Sequence, residues 1–291
     1  MKRILIISDG KIGHLNQSIA FCKIKEISYD ILEVEFKSKF SKSLSYIFDK
    51  LSYFTDSLFK EHKKFNYEFY DAVVSTGSST YYFNKFISKK HNIKSIALML
   101  PKSYGYSNFY YIVAQSHDNP PKKDNILRVP LNISYSKPKH IVKNIENKKA
   151  IGVIIGGNND IFTIEKELIK EKLNEVFKKF PNHLKYVTTS RRTPSVIEEL
   201  VEEYEFDYKL IYSKEPTINP IPDFLEQCEQ LFITIDSTSM LSESKANSDA
   251  QINIIDLKSK GEETKFHRLA NTVISLDKKV DFEKILKKVE I

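Results

Sequence analysis

The sequence predicts an α/β protein with two Rossmann-like domains that face each other across a cleft. Three observations lead to this prediction. Short apolar runs bounded by turn residues alternate with longer segments of helical spacing, which is typical of parallel sheets covered by helices. The alternation occurs in both halves of the 291-residue chain, which is long enough for two cores. A lysine-rich stretch with few large apolar residues, at 132–149, separates the halves.

In the first half, strands are predicted where apolar residues follow one another, and helices where they recur every three or four positions. The predicted strands are residues 4–7, 31–36, 72–75, 95–100 and 111–114, and the predicted helices are 14–27 and 81–91. Residues 40–64 combine Phe, Leu and Tyr at helical spacing with Lys and Ser. We interpret them as an amphipathic helix or helical pair packed on its own domain. The alternative is that their aromatic and basic face lies against an anionic membrane surface.

The second half repeats the alternation without repeating the sequence. Its predicted strands are 150–155, 184–189, 208–211, 231–235 and 251–257, and its predicted helices are 162–180, 195–204, 223–229, 239–248 and a last one from 281 onward. We therefore expect an N-terminal domain over 1–140 and a C-terminal domain over 141–291. The last helix is a candidate to pack back on the N-terminal domain.

Composition restricts the partners. Lys and Arg number 45 against 38 Asp and Glu, a formal charge of +7 that favours anionic partners such as nucleotides or acidic membrane surfaces. No basic-aromatic RNA-binding module is present, so we do not expect nucleic acid. Cys22 and Cys228 stand far apart, which indicates neither a disulfide framework nor a zinc site and favours the cytoplasm. The first apolar run is too short for a signal peptide, and no run has membrane-spanning length. We expect any membrane contact to be peripheral, at the inner face.

The most informative segment is 231–243, where an apolar strand runs into small hydroxyl residues and then a helix. Free N–H groups at the positive end of a helix favour an anion, here a phosphate. An ordinary helix N-cap is the alternative, because Asp, Ser and Thr are the preferred capping residues. Glu243 lies within the first turns of this helix, where its carboxylate could accept hydrogen bonds from a ribose.

Two other predicted strands of the second half end in loops suited to a diphosphate. Gly156 and Gly157 permit close backbone approach, and Arg191 and Arg192 can clamp phosphate oxygens with forked donors. A salt-bridged turn is the alternative for the arginines. The candidates on the donor side are Gly156, Gly157, Asn158, Ser190, Arg191, Arg192, Ser237, Thr238, Ser239 and Glu243.

The first strand ends in a loop crowded with polar residues before a helix starts. His14 stands at that helix start and could act as a neutral base near pH 7, with Asp9 or Asp118 as alternative bases. The three-glycine dinucleotide fingerprint is absent, so we expect no nicotinamide cofactor. For the loop at 75–79 we favour helix capping over substrate contact, and His117 beside Asp118 suggests either a polarised base or a turn. The acceptor-side candidates are Gly10, Lys11, Gly13, Asn16, Gln17 and His117.

These motifs together resemble the family named after the mitochondrial-fission ELM protein, whose members are regarded as glycosyltransferases of the two-Rossmann-domain GT-B type. The resemblance is carried by Ser8-Asp9-Gly10-Lys11-x-Gly13-His14-x-Asn16-Gln17, His117-Asp118, Gly156-Gly157, Ser190-Arg191-Arg192-Thr193-Pro194 and Asp236-Ser237-x-Ser239-Met240-x-Ser242-Glu243. It extends more loosely to the lipid-linked sugar transferases of cell-wall and lipopolysaccharide assembly.

The resemblance implies a metal-independent transfer of sugar from a nucleotide-sugar to a glycan or lipid acceptor hydroxyl, with no cofactor. It implies that Gly157, Ser190, Arg191, Ser237 and Ser239 contact the diphosphate and that Glu243 contacts the ribose. The loop around Asp9, Gly13 and His14 would face the acceptor. Two alternatives stay open, a sugar-nucleotide epimerase or hydrolase on the same fold and a non-catalytic adaptor at a membrane.

Overall fold

The computed structural model describes residues 2–143, 145, 148–261 and 263–291, which form two compact units. The first comprises Met1–Tyr135 and Asp281–Ile291, and the second comprises Ser136–Val280. Each unit contains a parallel sheet flanked by helices. The predicted α/β class with two Rossmann-like domains is therefore confirmed.

The strands of the first unit are short buried runs. They are β1 (Arg3–Ser8), β2 (Ser28–Glu33), β3 (Ala72–Thr76), β4 (Lys94–Leu98), β5 (Tyr111–Gln115) and β6 (Ile126–Val129). The sheet has the order β2-β1-β3-β4-β5-β6 with every pairing parallel. The chain leaves β1 for one edge and returns to β3 on the other side of β1. Such a switch point opens a crevice beyond the carboxyl ends of the two strands.

The helices that follow these strands are α1 (Ile12–Ile24), α2 (Lys39–Lys50) and α3 (Tyr81–His91). One sheet face packs against α3 in a core that includes Leu5, Ile7, Val73, Tyr82 and Phe83. Within the segment predicted as a helix or helical pair, α2 is the single α-helix. The chain after α2 is irregular up to residue 66, although it buries Leu58 and Phe59.

The second unit is built on a second parallel sheet. Its strands are β7 (Ala150–Ile154), β8 (Phe162–Thr163), β9 (Leu184–Thr188), β10 (Tyr208–Leu210), β11 (Cys228–Thr234), β12 (Gln251–Ile255) and β13 (Lys258–Ser259). The main sheet has the order β10-β9-β7-β11-β12, and β8 pairs with β13 in a separate antiparallel ribbon. The switch point lies between β7 and β11, so the loops after these two strands border the crevice.

The helices of the second unit are α4 (Lys166–Lys179), α5 (Ser195–Glu202), α6 (Ile221–Gln227), α7 (Thr238–Asn247) and α8 (Lys265–Ser275). The helix predicted from 162 starts later, because Asn159 accepts hydrogen bonds from the backbone of Ile161 and Phe162, each at 2.8 Å, and fixes a turn there. Neither α8 nor β6 was predicted. In α8 the start signal is a capping box in which Thr264 is paired with a histidine, His267, rather than with the usual Glu or Gln.

Within the stretch expected to be a linker, residues 139–142 are hydrogen-bonded to the second unit. Asp223 of α6 is fully buried and accepts four backbone N–H bonds, from residues 139 to 142, at 2.5–3.0 Å. Residues 131 and 133, by contrast, are buried within the first unit. Asn144, Glu146 and Asn147 of the expected linker lie outside the described residues.

The last segment of the chain belongs to the first unit. Helix α9 (Phe282–Leu286) and the residues after it pack beside α1. The ammonium group of Lys25 donates to the backbone carbonyls of Leu286 and Val289 at 3.0 and 2.8 Å. Lys2 donates to the carbonyl of Ile291. Two lysines, one before β1 and one at the end of α1, thus hold the last residues of the chain against the first unit.

Candidate active site

The first unit brings Asp9 and His14 into direct contact at the switch point. Asp9 follows β1, and His14 lies in the first turn of α1. Both carboxylate oxygens of Asp9 lie 3.1 Å from Nδ1 of His14. A carboxylate at Nδ1 holds the proton on that nitrogen and leaves the Nε2 lone pair to accept another. Two residues that the sequence offered as alternative bases are therefore one hydrogen-bonded pair.

The environment keeps Asp9 ionised. Its side chain is 5% exposed, against 26% for His14. Burial raises the pKa of the Asp9 carboxyl, but the hydrogen bond and charge of His14, with the backbone N–H and charge of Lys11, outweigh it and leave the pKa below its usual range. At neutral pH the pair therefore has a carboxylate in place to stabilise a protonated imidazole.

Gly77, which follows β3, leaves the space that the imidazole ring of His14 occupies. Its backbone has φ +93°, and a Cβ built on it would lie 2.4 Å from Nδ1 and Cε1 of His14. The loop at 75–79 was interpreted as a helix cap, so sequence reasoning missed this contact. The positive φ and the contact with the ring both favour glycine at position 77, because a side chain there would collide with His14.

The turn after β5 contributes a second carboxylate at the same edge. Asp118 lies 2.8 Å from Nζ of Lys102, and His117 beside it is buried. Burial raises the pKa of the Tyr81 hydroxyl, and the charges of Asp118 and Asp9 act in the same direction. Asp118 is paired with the ammonium group of Lys102, whereas Asp9 has both the imidazole of His14 and, at 3.7 Å, the ammonium group of Lys11 as partners.

The other acceptor-side candidates divide into exposed and packed residues. Gly10, Lys11, Gly13 and Asn16 are exposed around the start of α1. Gln17 is buried, with its Nε2 3.7 Å from the sulfur of Met99. The exposed residues could meet a substrate directly, whereas Gln17 packs between α1 and the end of β4.

In the second unit, three loops meet on the carboxylate of Asp236, which is 1% exposed. Oδ1 accepts from the hydroxyl of Thr234 at 2.7 Å. Oδ2 accepts from the N–H of Gly157 at 3.1 Å and from Nη2 of Arg192 at 2.6 Å. The loops after β7, β9 and β11 are joined by these bonds into one rigid frame at the carboxyl edge of the sheet.

The glycines of the loop after β7 are required by this frame. A Cβ on Gly156 would lie 2.0 Å from Oδ1 of Asp236, and one on Gly157 would lie 1.9 Å from the carbonyl oxygen of Arg192. The N–H of Gly156 donates to Thr234 at 2.7 Å, and that of Gly157 to Asp236. The sequence predicted that the backbone of these glycines approaches a diphosphate closely. In the structure it approaches Asp236 and Arg192, and both N–H groups donate to side chains of the protein.

The two arginines of the loop after β9 have different surroundings. Arg192 is held by Asp236, with its side chain 34% exposed. Arg191 is exposed, and its side chain makes no hydrogen bond or ion pair with the described part of the chain. Ser190 is used within its own loop, where its hydroxyl accepts from the N–H of Arg192 at 3.3 Å and lies 3.2 Å from the hydroxyl of Thr193. The two arginines thus differ, since Arg192 has a carboxylate partner and the guanidinium of Arg191 has none among the described residues.

The start of α7 combines a cap with free donors. Ser237 is the N-cap and accepts from the N–H of Met240 at 3.3 Å. Thr238 and Ser239 occupy the first two helical positions, whose N–H groups have no acceptor inside the helix, and Ser239 is exposed. The capping interpretation is therefore confirmed for Ser237, and the phosphate site at the positive helix end stays a prediction.

The last two donor-side candidates also have partners inside the second unit. Burial raises the pKa of Glu243, and this effect is opposed by a hydrogen bond from Ser136 and by the charge of Lys139. The side-chain oxygen of Asn158 accepts from the N–H of Ile164 at 2.8 Å. As a whole residue, Glu243 is partly buried.

Two searches of the described residues bear on metals and membranes. No group of three or more His, Cys, Asp or Glu side chains there is arranged to hold a metal ion. Over the same residues, no helix combines the length and the apolar character needed to cross a membrane.

Several solved structures are similar to this chain at low sequence identity. A Listeria monocytogenes protein described as a UDP-N-acetylglucosamine 2-epimerase matches with a TM-score of 0.56 and 10% identity, over 94% of this chain and 86% of that chain. The Neisseria meningitidis UDP-GlcNAc 2-epimerase bound to UDP-GlcNAc gives 0.49 and 11%, over 94% and 90%. The E. coli ADP-heptose LPS heptosyltransferase II gives 0.46 and 9%, over 94% and 99%. The Listeria similarity shows the GT-B-type fold.

No curated protein matches the sequence. The model of the family described as "Mitochondrial fission ELM1" matches residues 12–290, nearly the whole chain. The chain therefore belongs to the mitochondrial fission ELM1 family.

Proposed function

We propose that this protein transfers a sugar from a nucleotide-sugar to an acceptor hydroxyl, with protein groups rather than a metal ion balancing the charge of the leaving diphosphate. The observation that carries the proposal is the Asp9–His14 pair, with both carboxylate oxygens 3.1 Å from Nδ1. A transferase needs a base for the acceptor hydroxyl, and an imidazole oriented by a carboxylate suits that task.

In the proposed reaction, Nε2 of His14 takes the proton of the acceptor hydroxyl. The acceptor oxygen forms a bond to the anomeric carbon as the bond between that carbon and the diphosphate oxygen breaks. The bonding electrons leave with the nucleoside diphosphate, and the proton passes from His14 to solvent. Asp9 stabilises the imidazolium while it exists, and a base of this kind contributes about 10²–10⁴-fold in rate.

We assign the donor to the second unit. The free guanidinium of Arg191 and the N–H groups of Thr238 and Ser239 would stabilise the charge that develops on the diphosphate. Preorganised donors of this type are worth about 2.7–4 kcal/mol each in transition-state stabilisation. The frame around Asp236 supports this assignment, since it fixes the loops that carry these donors. Glu243 would accept hydrogen bonds from the ribose.

A sugar-nucleotide epimerase or hydrolase is the second candidate. The fold shared with the Listeria protein described as an epimerase favours it, at a TM-score of 0.56. The two candidates would use the same donor site and differ in what attacks or rearranges the sugar. Only a transferase needs an acceptor hydroxyl, and this difference separates them by experiment.

The test is to incubate the purified protein with a panel of nucleotide-sugars, with and without an extract of bacterial lipids and glycans, and to measure release of nucleoside diphosphate. Release that depends on the extract supports transfer. Isomerised sugar or rapid release without extract indicates the epimerase or hydrolase. If no nucleotide-sugar raises the melting temperature and none is consumed, the adaptor hypothesis is favoured, and substitutions at His14 and Glu243 should then leave the cellular phenotype intact.

A further inference from the structure

Helix α2 of the first unit packs Leu44, Tyr46 and Phe48 against the core, yet it also buries polar residues and exposes three large apolar ones. Ser45 and Asp49 are 0% and 4% exposed, while Phe40, Ile47 and Leu51 are 75%, 56% and 72% exposed. The spacings of seven and four residues place the three apolar side chains in one stripe. This stripe lies on the side opposite to Ser45 and Asp49. A helix that packs only on its own domain carries polar and charged residues, not large apolar ones, on the face away from the core.

Specific bonds fix this orientation. Asp49 lies 2.5 Å from Nζ of Lys85, and the two side chains are 2% and 1% exposed. Asp49 also accepts from the N–H of Gly105 at 2.7 Å, and Lys85 donates to the carbonyl of the same residue at 2.7 Å. Ser45 lies 2.9 Å from the hydroxyl of Tyr104. Rotating α2 to hide its apolar stripe would break a buried ion pair, which is strongly unfavourable.

The exposed charges of the stretch that carries the stripe have one sign. Between Lys37 and Thr55 the single acidic residue is Asp49, which points inward. The exposed charges of that stretch belong to Lys37, Lys39 and Lys50. An exposed apolar stripe about 16 Å long, on a helix whose exposed charges are lysines, matches the pattern of helices that lie in the interface of anionic membranes.

A protein partner fits these features less well. The centres of protein interfaces are depleted in lysine, and they are built from aromatic residues and arginine around closely matched surfaces. Here the flanking charges are all lysines, and the stripe is a convex helix surface. An anionic bilayer needs no matching shape, and each lysine near its surface adds attraction.

We propose that α2 lies in the headgroup region of an anionic lipid bilayer, with Phe40, Ile47 and Leu51 inserted between the lipids. The inference stands on the orientation of α2 and does not depend on the proposed glycosyl transfer. One contact relates the two. On the inward side, Lys42 of α2 donates to the hydroxyls of Ser78 and Ser79 at 3.0 and 3.1 Å, in the loop that begins with Gly77. A bilayer at α2 would therefore lie near the loop on which the His14 ring rests.

The test is sedimentation of the full chain with vesicles of phosphatidylcholine alone and of phosphatidylcholine mixed with phosphatidylglycerol. We expect binding to the mixed vesicles, and weaker binding as salt is raised. The triple variant Phe40→Ser, Ile47→Ser, Leu51→Ser should bind at least about tenfold more weakly. Its melting temperature should be unchanged, because the three side chains face solvent. The matched control is Ile274→Ser, since Ile274 is 63% exposed on α8 of the second unit.

Three outcomes would overturn the proposal. The first is wild-type protein that stays in the supernatant with both kinds of vesicle, and the second is a triple variant that sediments as fully as the wild type. The third is light scattering that shows a wild-type dimer and a monomeric triple variant, which would make a second copy of the chain the occupant. Replacing Lys39 and Lys50 by Gln gives a second variant, which should weaken binding only to the anionic vesicles.

Discussion

Arg192 and Asp236 form an ion pair at the carboxyl edge of the second sheet. Nη2 of Arg192 lies 2.6 Å from Oδ2 of Asp236, and the carboxylate side chain is 0% exposed. The pair joins the loop after β9 to the loop after β11, and the N–H of Gly157 brings the loop after β7 to the same oxygen. These loops carry the residues that we assign to the diphosphate.

Breaking this pair should cost stability. We expect Asp236→Asn to destabilise the second unit by about 2–3 kcal/mol. This cost is at or below the lower end of the range found when one partner of a buried ion pair is removed, because Arg192 is partly exposed. Calorimetry should show a melting temperature lower by several degrees. The control is Asp256→Asn, since the Asp256 side chain is 72% exposed and its Oδ1 lies 3.8 Å from Nε2 of His267. Equal melting temperatures for the two variants would contradict the structural role of Asp236.

The two adjacent arginines should respond differently to substitution. Arg191→Gln should leave the melting temperature unchanged and weaken binding of a nucleoside diphosphate by at least about tenfold, the loss of one charge-assisted hydrogen bond. Arg192→Gln should lower the melting temperature. Calorimetric titration with UDP, GDP, ADP and dTDP measures the binding. Lys178→Gln on the exposed surface of α4 is the charge control. Unchanged affinity in Arg191→Gln would exclude the role we give it.

Replacing Gly77 should displace the imidazole of His14. Gly77→Ala introduces both backbone strain and a collision, while Gly10→Ala introduces strain alone, because Gly10 has φ +74° with nothing within 4 Å of a built Cβ. Strain at such positions costs about 1–3 kcal/mol. The NMR signals of the His14 ring should therefore move in Gly77→Ala and stay in place in Gly10→Ala. Similar shifts in both variants would mean that the contact with Gly77 does not position the ring.

The carboxylate of Asp223 should make the segment at 139–142 sensitive to acid. Burial raises its pKa, but four backbone N–H bonds outweigh burial, so the pKa lies below the ordinary value. Because the folded pKa is lowered, this stabilisation is present above the unfolded value, about pH 4, and is lost as the pH falls through the folded value. Hydrogen exchange of amides 139–142, corrected for the intrinsic pH dependence, should lose protection in that range. In Asp223→Asn protection should be low already at pH 7, and strong protection there would contradict the assignment.

The loops of the candidate site could be predicted from the sequence, but the contacts that distinguish one residue of a loop from the next could not. Asp9 and His14 were both found, because polar residues at a strand end are visible in the sequence. Gly77 was interpreted as part of a cap, since its contact with a ring from another loop is tertiary. Arg191 and Arg192 are equivalent in sequence, and only the position of Asp236 distinguishes them.

The fold shows the same limit in α2. The helical spacing at 40–64 predicted a helix or helical pair packed on its own domain, and the structure forms one helix there, Lys39–Lys50, which packs Leu44, Tyr46 and Phe48 against the core. The helix also buries Asp49, because its partner Lys85 comes from α3, 36 residues later in the chain. Local periodicity specifies which residues share a helix face. It does not specify which face packs against the core, because that choice can depend on an ion pair with a residue far away in the chain.

The most direct test of the proposed function is the rate of acceptor-dependent sugar transfer by His14→Gln relative to wild type. Gln keeps a hydrogen bond to Asp9 available but cannot take a proton from the acceptor. We predict a rate lower by at least about 10²-fold, the usual contribution of a general base, with nucleotide-sugar affinity unchanged. Transfer by His14→Gln at the wild-type rate would contradict the account.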